Sequence, residues 1–221
     1  MTGLLRCLLT AKKNFRVEDN MIIKCLPIGL FGSNCYIVGQ NGEGIIIDPG
    51  CDPRKIVDTV NENNLEIKYI IITHGHIDHL LTVDEVREMT GAKVLIHEKE
   101  ADKLTDPSLN DPVGIGLGRE CKAADSLLKD GDVITAGGLD FEIIHTPGHS
   151  VGGICIRVGN EVFTGDTLFN MGIGRTDFAD GDLNTLLDSI ENKLMKLDDN
   201  VVVYPGHGEP TTIGRERNRF R

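Results

Sequence analysis

The stretch Thr73-His74-Gly75-His76-Ile77-Asp78-His79 places three imidazoles and a carboxylate within seven consecutive residues. Packing in a hydrophobic core does not account for such a density of ionisable groups, whereas metal binding does. The apolar, β-branched run 67–72 precedes the stretch, and residues with helical spacing follow it at 83–89. The sequence therefore predicts a metal site on a turn between a strand and a helix.

Within this turn, Gly75 allows the backbone to fold tightly. We expect His74 and His76 to converge on one ion, and Asp78 and His79 to point toward a second. Adjacent side chains at the start of a helix diverge, so four residues this close together do not complete one tetrahedral site. Further ligands must come from other parts of the chain.

Three other positions share the arrangement of the first stretch. In each, an apolar β run leads into a turn with Gly or Pro that presents a metal-binding side chain. They are His149 after Pro147-Gly148, Asp166 after Gly165, and His207 after Pro205-Gly206. The seven side chains divide into His74, His76 and His149 for one ion, Asp78, His79 and His207 for the other, and Asp166 as a bridge. Three or so protein ligands per ion leave an open position, which is typical of catalytic sites. Nitrogen and oxygen donors favour zinc, with manganese or iron as alternatives.

The order of these ligands resembles the metallo-β-lactamase superfamily. The resemblance implies an α+β fold, a four-layer αββα sandwich of two similar halves with the metals at one edge of the sheets. It covers about Met21 to Thr212. The motifs around the ligands look like those of the glyoxalase II-like hydrolases: Thr-Pro-Gly-His149-Ser, Thr-Gly-Asp166-Thr-Leu-Phe, Gly174-Arg175-Thr176-Asp177 and Tyr-Pro-Gly-His207-Gly.

This resemblance implies a binuclear-metal hydrolase that cleaves a thioester such as S-lactoylglutathione with metal-activated water. Asp78 would orient the attacking water or accept its proton. A thiolate leaves without prior protonation, whereas an amine needs a proton donor, so a thioester also suits motifs that offer no dedicated acid. Glyoxalase II proper carries an additional C-terminal helical region whose basic residues hold glutathione, and this chain ends soon after His207. Arg119, Lys122 or Arg175 could take that role.

Two other activities of the superfamily remain open. A persulfide dioxygenase resembles the chain at the same motifs but uses one iron, held by the equivalents of His74, His149 and Asp166. The presence of Asp78, His79 and His207 favours two ions instead. A β-lactamase is the weaker alternative, because its common form has Cys where Asp166 stands.

Other residues are predicted to lie beside the metals. Asp48 follows a buried run, and the sequence alone favours a simple turn residue. Its position and the resemblance together favour a second interpretation, in which its carboxylate accepts a hydrogen bond from the distal N–H of a ligating His. Arg175 and Asp177 are expected to form an ion pair that holds their loop. Direct contact of these residues with substrate is the less favoured interpretation. His145 is expected to pack beside the site without binding metal.

Composition limits the remaining possibilities. A chain of 221 residues, 40% hydrophobic, suits one domain, which we place at 21–221 after a loose extension at 1–20. A signal peptide is a weaker interpretation of that extension, because its apolar part is short and basic residues follow it. The net charge of −11 argues against a nucleic-acid surface. Cysteines without a C-x-x-C pair suit a reducing compartment, so we expect a cytoplasmic protein. The expected partner is a small acyl thioester, and neither a nucleic acid nor a membrane is expected.

The other elements follow from hydrophobic periodicity. Helices are predicted at 54–63, 83–89, 98–104 and 183–197, with strands on either side of each. Residues 105–120 contain two prolines and three glycines, which disfavour regular structure and indicate either a lid over the substrate or a surface excursion. The basic tail at 214–221 is expected to be a solvated turn.

Overall fold

Two six-stranded sheets pack face to face in the computed structural model, which describes residues 21–27 and 30–219. The first sheet holds the strands in chain order, antiparallel from β1 to β3 and parallel from β3 to β6. Its strands are β1 (Ile22–Leu26), β2 (Cys35–Gln40), β3 (Glu43–Ile47), β4 (Glu66–Ile72), β5 (Lys93–His97) and β6 (Ser126–Leu128).

The second sheet has the order β14-β13-β10-β9-β8-β7, and only the β10–β13 pair is parallel. A separate hairpin, β11 with β12, follows β10. The strands are β7 (Val133–Ala136), β8 (Leu139–His145), β9 (Ile154–Val158), β10 (Glu161–Gly165), β11 (Leu168–Phe169), β12 (Gly172–Ile173), β13 (Val202–Pro205) and β14 (Thr211–Thr212).

Helices cover the outer face of each sheet, so the molecule has the predicted αββα layers. The α-helices are α1 (Pro53–Glu62), α2 (Ile77–Leu80), α3 (Val83–Thr90), α4 (Ala101–Thr105), α5 (Pro107–Asn110), α6 (Leu183–Asn192) and α7 (Ile213–Arg217). Single 3-10 turns lie at Leu30–Gly32, Glu98–Glu100 and Leu194–Lys196. Apolar side chains of α1 and α3 pack on the first sheet, and those of α6 and α7 pack on the second.

Three hydrophobic cores separate the four layers, because the strands are apolar on both faces. In β3, Ile45 and Ile47 point between the sheets, whereas Ile46 points toward α1 and α3. In β9, Ile156 packs between the sheets and Cys155 faces α6. Such two-sided burial fixes the strand register, since a shift of one residue would exchange the contents of two cores.

The strands β3, β4, β8, β10 and β13 all end at the same edge of the sandwich, and backbone hydrogen bonds join the two halves there. Asn34 N–H donates to Gly206 O at 2.7 Å, and Ile154 N–H donates to Thr73 O at 2.9 Å. Within the second half, Gly206 N–H donates to Gly165 O at 2.7 Å. The loops that follow these strands are therefore held together before any ligand is considered.

Several predicted elements differ from the structure. The last long helix ends at Asn192 and continues only as the turn Leu194–Lys196, whereas a helix to 197 was expected. Within the predicted loop 105–120, Asp106 caps a one-turn helix, α5. The tail forms α7, in which Glu216 is buried and the Arg217 side chain donates to Met195 O, so the prediction of a solvated turn is wrong.

The extension predicted at 1–20 lies outside the described residues. None of the helices in the described part of the chain is long and apolar enough to cross a membrane. The five cysteines there are all free.

Candidate metal centre

The loop after β4 brings two imidazoles against a third from the loop after β8. His149 Nε2 lies 3.3 Å from His74 Nε2 and 3.0 Å from His76 Nδ1. All three side chains are buried. Three imidazole nitrogens that face one another at these distances form a set that could hold one metal ion.

A second set lies beside the first. The Asp78 Oδ2 atom is 3.4 Å from His79 Nε2 and 3.2 Å from His207 Nε2. The two imidazole nitrogens are 3.3 Å apart. The rings of His74 and His79 are only 4.2 Å apart between centroids, so the two sets adjoin. This second set could hold another ion.

Asp166 reaches both sets from the end of β10. Its Oδ1 atom lies 3.5 Å from His79 Nε2, and its Oδ2 atom lies 3.6 Å from His149 Nε2 and 3.6 Å from His207 Nε2. The Oδ1 atom is buried and has no hydrogen-bond donor. A buried, unpaired carboxylate oxygen is costly unless a cation offsets it, which fits the position of a bridging metal ligand.

Electrostatics distinguishes the two sets of imidazoles. Burial, together with neighbouring imidazoles, lowers the pKa of His74 and of His76 well below the usual histidine value. Burial would also lower the pKa of His79, but Asp78, Asp166 and Asp48 outweigh it and raise that pKa to about 10. His207 behaves likewise: burial opposes ionisation, but Asp78 and Asp166 raise its pKa. His74 and His76 are thus neutral without metal, whereas His79 and His207 attract protons.

The carboxylate of Asp78 is ionised throughout the neutral range. Burial alone would raise its pKa, but the imidazoles of His79 and His207 lower it to about 2. Asp78 is partly exposed to the adjacent cavity, with 14% of its side-chain surface accessible. An ionised oxygen at this position can accept a hydrogen bond or a proton from a molecule in the cavity.

Asp48 holds the metal-binding turn from behind. It accepts hydrogen bonds from the backbone N–H and the hydroxyl of Thr73 at 2.7 and 2.6 Å. Its Oδ2 atom also lies 2.9 Å from His79 Nδ1. A carboxylate here orients the ring so that Nε2 faces the cluster. Asp48 adopts a left-handed backbone conformation with φ of 52°, which Asp tolerates better than most residues.

Arg175 and Asp177 form the predicted ion pair, with two bonds of 2.9 Å between guanidinium and carboxylate. Both side chains are largely exposed. The contact to the cluster comes instead from the Arg175 backbone, because its carbonyl oxygen lies 2.7 Å from His149 Nδ1. Arg175 therefore orients a candidate ligand through its carbonyl group, and Asp177 contacts the cluster only through Arg175.

The sequence analysis missed Glu100, which is fully buried behind the turn of His74 and His76. Its carboxylate accepts the backbone N–H of Gly75 at 2.8 Å and that of Gly152 at 2.7 Å. The Lys103 ammonium lies 3.1 Å away and also pairs with Asp180 at 2.6 Å. In the sequence, Glu100 and Lys103 have the spacing of an ordinary solvated helix pair, so nothing there indicated the role.

Asn34 was missed as well. Its side-chain amide donates to Pro205 O at 3.0 Å and to Gly208 O at 2.9 Å, on either side of His207. The Tyr36 hydroxyl donates to Pro205 O at 2.6 Å. One residue earlier, Ser33 Oγ donates to Asp78 O at 2.7 Å. The segment before β2 thus fixes two candidate ligands from opposite halves of the fold.

Close packing of backbone against ligands explains one glycine of the motifs. A Cβ atom on Gly206 would lie 2.3 Å from Asp166 Oδ1 and 2.8 Å from His79 Cε1. These distances are shorter than any real contact, so only glycine lets this loop approach the cluster. The other predicted neighbour, His145, stacks on His97 at 4.2 Å and does not belong to the seven-residue cluster.

A cavity of about 470 Å³ opens beside the cluster. His76, Asp78, His149, Asp166 and His207 reach its wall. From the loop predicted at 105–120, Asp111, Pro112, Val113 and Ile115 also line it, so that loop borders the candidate site. Arg119 and Lys122 do not line the cavity: Arg119 pairs with Glu85 at 2.8 Å, and Lys122 pairs with Glu88 at 2.6 Å.

Comparison with known proteins identifies the family. The model of the metallo-beta-lactamase superfamily matches residues 28–207. The hydroxyacylglutathione hydrolase GloC of Haemophilus influenzae is 35% identical over 207 residues, which cover 89% of this chain and 95% of that protein.

Solved structures agree with this result. The crystal structure of BLEG-1 B3 metallo-beta-lactamase is 37% identical with a TM-score of 0.84, covering 89% of this chain and 97% of its own. The crystal structure of TTHA1623 in a di-iron-bound form is 29% identical with a TM-score of 0.77. The match covers 87% of this chain and 96% of that chain. The chain belongs to the metallo-beta-lactamase superfamily, whose members are metal-dependent hydrolases.

Proposed function

We propose that the protein is a hydrolase that holds two divalent metal ions per chain and cleaves an acyl thioester such as S-lactoylglutathione. The observation that carries this proposal is the position of Asp166. Its carboxylate oxygens lie within 3.6 Å of imidazole nitrogen atoms from both sets. A single ion would leave one of these two sets without a cation. Zinc is the expected metal, with iron or manganese as alternatives for this donor set.

The seven donors act as ligands in this proposal, with His74, His76 and His149 on one ion, Asp78, His79 and His207 on the other, and Asp166 on both. Asp48 Oδ2 and the Arg175 carbonyl fix the rings of His79 and His149 through their distal nitrogens. The relative named as a di-iron-bound form supports the count of two ions.

Divalent ions held by such a set lower the pKa of bound water and polarise a substrate carbonyl, which supplies the hydrolytic chemistry. The chain's own contribution is the Asp78 carboxylate. It faces the cavity in its ionised form, where it can orient the attacking water and accept its proton through the carboxylate oxygen that does not hold the metal.

The cavity favours a leaving group that needs no proton. Among its described lining residues, only Asp111 and Arg175 are ionisable apart from the proposed ligands. The pKa of Asp111 is lowered, chiefly by backbone N–H groups against the opposing effect of desolvation, and a guanidinium keeps its proton. Neither can protonate an amine, whereas a thiolate leaves unassisted.

One of the relatives supports the same choice. GloC, the relative named as a hydroxyacylglutathione hydrolase, matches nearly its whole length. The similarity to BLEG-1, named as a β-lactamase, keeps β-lactam cleavage as a second activity to measure. A dioxygenase with one iron on His74, His149 and Asp166 would leave Asp78, His79 and His207 without a function. Small thioesters, without nucleic acid or membrane, remain the proposed partners.

The direct test of the function is hydrolysis of S-lactoylglutathione by the metal-loaded protein and by H76A. Loss of one of three imidazoles should empty the first site and lower kcat/KM by about 100-fold or more, since metal activation of water is lost. H145A is the matched control, because His145 lies outside the cluster, and it should keep both ions. Activity in H76A with two ions still bound would show that the ligand assignment is wrong.

Acidification should release the two ions separately. Protons compete for His79 and His207, whose pKa values are raised, but hardly for His74 and His76, whose pKa values are lowered. Dialysis from about pH 8 to about pH 5.5 should therefore reduce the metal content from two ions to one per chain before the last ion leaves. Elemental analysis measures this.

The H207A variant shows which ion is lost first. If the second set is the acid-sensitive one, this variant should start with one ion and keep it at the pH where the wild type falls to one. Release of both wild-type ions in a single step, or early loss of the ion from H207A, would contradict the assignment.

E100Q should weaken the first site without removing a ligand. The amide offers one acceptor oxygen where the carboxylate offers two, so either Gly75 N–H or Gly152 N–H loses its partner. We expect metal affinity to fall about 10-fold to 100-fold, as for other residues that orient ligands. Competition with a chelator measures this, and E98Q, at an exposed neighbouring position, is the control. Equal affinities in E100Q and the wild type would exclude the role.

A further inference from the structure

The cavity beside the metal centre is apolar on the side away from the ligands. Besides Ile77 of the ligand turn, six large hydrophobic side chains line it, and they come from separate parts of the chain: the turn before β2, the loop after α5, the β11–β12 hairpin and the loop before α6. They are Phe31, Val113, Ile115, Phe169, Ile173 and Phe178. No single element thus accounts for the apolar character of this wall.

Three of these side chains are exposed to an unusual degree for their size. The exposed fractions are 61% for Phe31, 55% for Val113 and 50% for Ile115. Scattered apolar residues on a surface need no explanation, but these three surround one cavity. A ligand that covers them gains binding free energy in proportion to the apolar area that it removes from water.

The apolar wall continues to the candidate ligands on both sides. The Phe178 ring lies 5.2 Å from the His76 ring and 5.7 Å from the His149 ring, between centroids. The Phe169 ring lies 6.1 Å from the ring of His207 on the other side. A carbonyl carbon placed at the cluster would therefore have hydrophobic surface next to its substituents.

The two charged side chains that line the cavity outside the candidate ligands, Asp111 and Arg175, are already paired. The Asp111 carboxylate accepts the backbone N–H groups of Gly114, Ile115, Gly116 and Leu117. The Arg175 guanidinium pairs with Asp177 and lies 4.7 Å from the centre of the Phe178 ring. Among the described lining residues, Arg175 is the single Lys or Arg side chain. The wall thus offers no spare cation to a carboxylate or phosphate of a substrate.

The bonds of Asp111 also fix the shape of the loop that carries two of the six side chains. Gly114 and Gly116 adopt φ angles of 68° and 78°, which allow four successive N–H groups to turn toward one carboxylate. This turn holds the side chains of Val113 and Ile115 at the cavity.

From the apolar wall and its paired charges, we infer that the enzyme selects thioesters with an uncharged, apolar acyl chain, and that Phe31, Val113 and Ile115 determine this specificity. The inference rests on the proposed thioesterase function. A hydroxylated acyl group such as lactoyl would place its hydroxyl against hydrocarbon, so it is a poorer substrate than its deoxy counterpart.

The test compares acyl groups on a constant thiol. The metal-loaded protein is assayed with S-acetyl-, S-butanoyl- and S-hexanoylglutathione, and with the pair S-lactoyl- and S-propanoylglutathione, which differ by one hydroxyl. Each kcat/KM is divided by the rate of alkaline hydrolysis of the same thioester, which removes intrinsic reactivity. We expect an increase of about twofold to fourfold for each added methylene, as partial to full burial would give, and propanoyl above lactoyl.

Variants at the wall assign the specificity to its residues. I115S and V113S should lower kcat/KM for the hexanoyl thioester by about fivefold through lost apolar contact, but change the acetyl value less than twofold. Both positions are exposed, so the fold should tolerate the change. L109S is the matched control, because Leu109 is similarly exposed at 45% but does not line the cavity, and it should keep the chain-length dependence.

The outcomes separate this inference from the proposed function. Thioester hydrolysis with no dependence on chain length, or with lactoyl preferred to propanoyl, would overturn the inference and leave the thioesterase intact. Equal loss for all acyl lengths in I115S and V113S would equally count against it. Absence of hydrolysis for every thioester would overturn the proposed function and the inference together.

Discussion

Buried lone pairs that face one another constrain this structure more than any other feature. Imidazole nitrogens and carboxylate oxygens converge at 3.0 to 3.6 Å, and most of them are shielded from water. Protons can satisfy only some of them, because His74 and His76 resist protonation while Asp166 keeps an unpaired buried oxygen. Divalent cations offset the remaining cost, so the loops around the cluster are arranged for metal binding.

The supporting residues act against the repulsion within this cluster. Glu100 holds the backbone between His74 and His76, Asp48 holds the turn and the ring of His79, and Asn34 fixes the loop of His207. All three residues belong to the first half of the sandwich, and Glu100 and Asn34 also bind backbone groups of the second half. A Cβ atom on Gly206 would lie 2.8 Å from His79 Cε1, which shows how little space separates the halves at this edge. Most of the ligand geometry is therefore determined before a metal arrives.

The seven clustered donors could be predicted because they follow local patterns, whereas the four-layer fold was predicted from the resemblance of their order to the metallo-β-lactamase superfamily. Strands that are apolar on both faces, each followed by a turn with Gly or Pro and a metal-binding side chain, indicate one ligand edge. Glu100 and Asn34 could not be predicted, since their partners lie 25 to 174 residues away in the chain. For Arg175, the pattern indicated a side-chain role, but its carbonyl oxygen makes the contact. Such backbone contacts leave no sequence signal.

The substrate side of the site was equally hidden in the sequence. Residues 111–117 have the composition of an irregular loop, because alternating glycines disfavour regular structure. The structure shows a turn around the Asp111 carboxylate, which places Val113 and Ile115 beside the candidate metal ligands. Hydrophobic residues in a loop are ambiguous until the fold brings Phe31, Phe169 and Phe178 to the same cavity.

The most direct test of the two-ion site is the metal content of the purified protein after saturation with zinc and removal of unbound metal. Elemental analysis should give two ions per chain in the wild type. The D166N variant, which has lost the shared carboxylate, should show lower occupancy of both sites. One ion per wild-type chain, or loss of only one ion in D166N, would contradict the bridged binuclear centre.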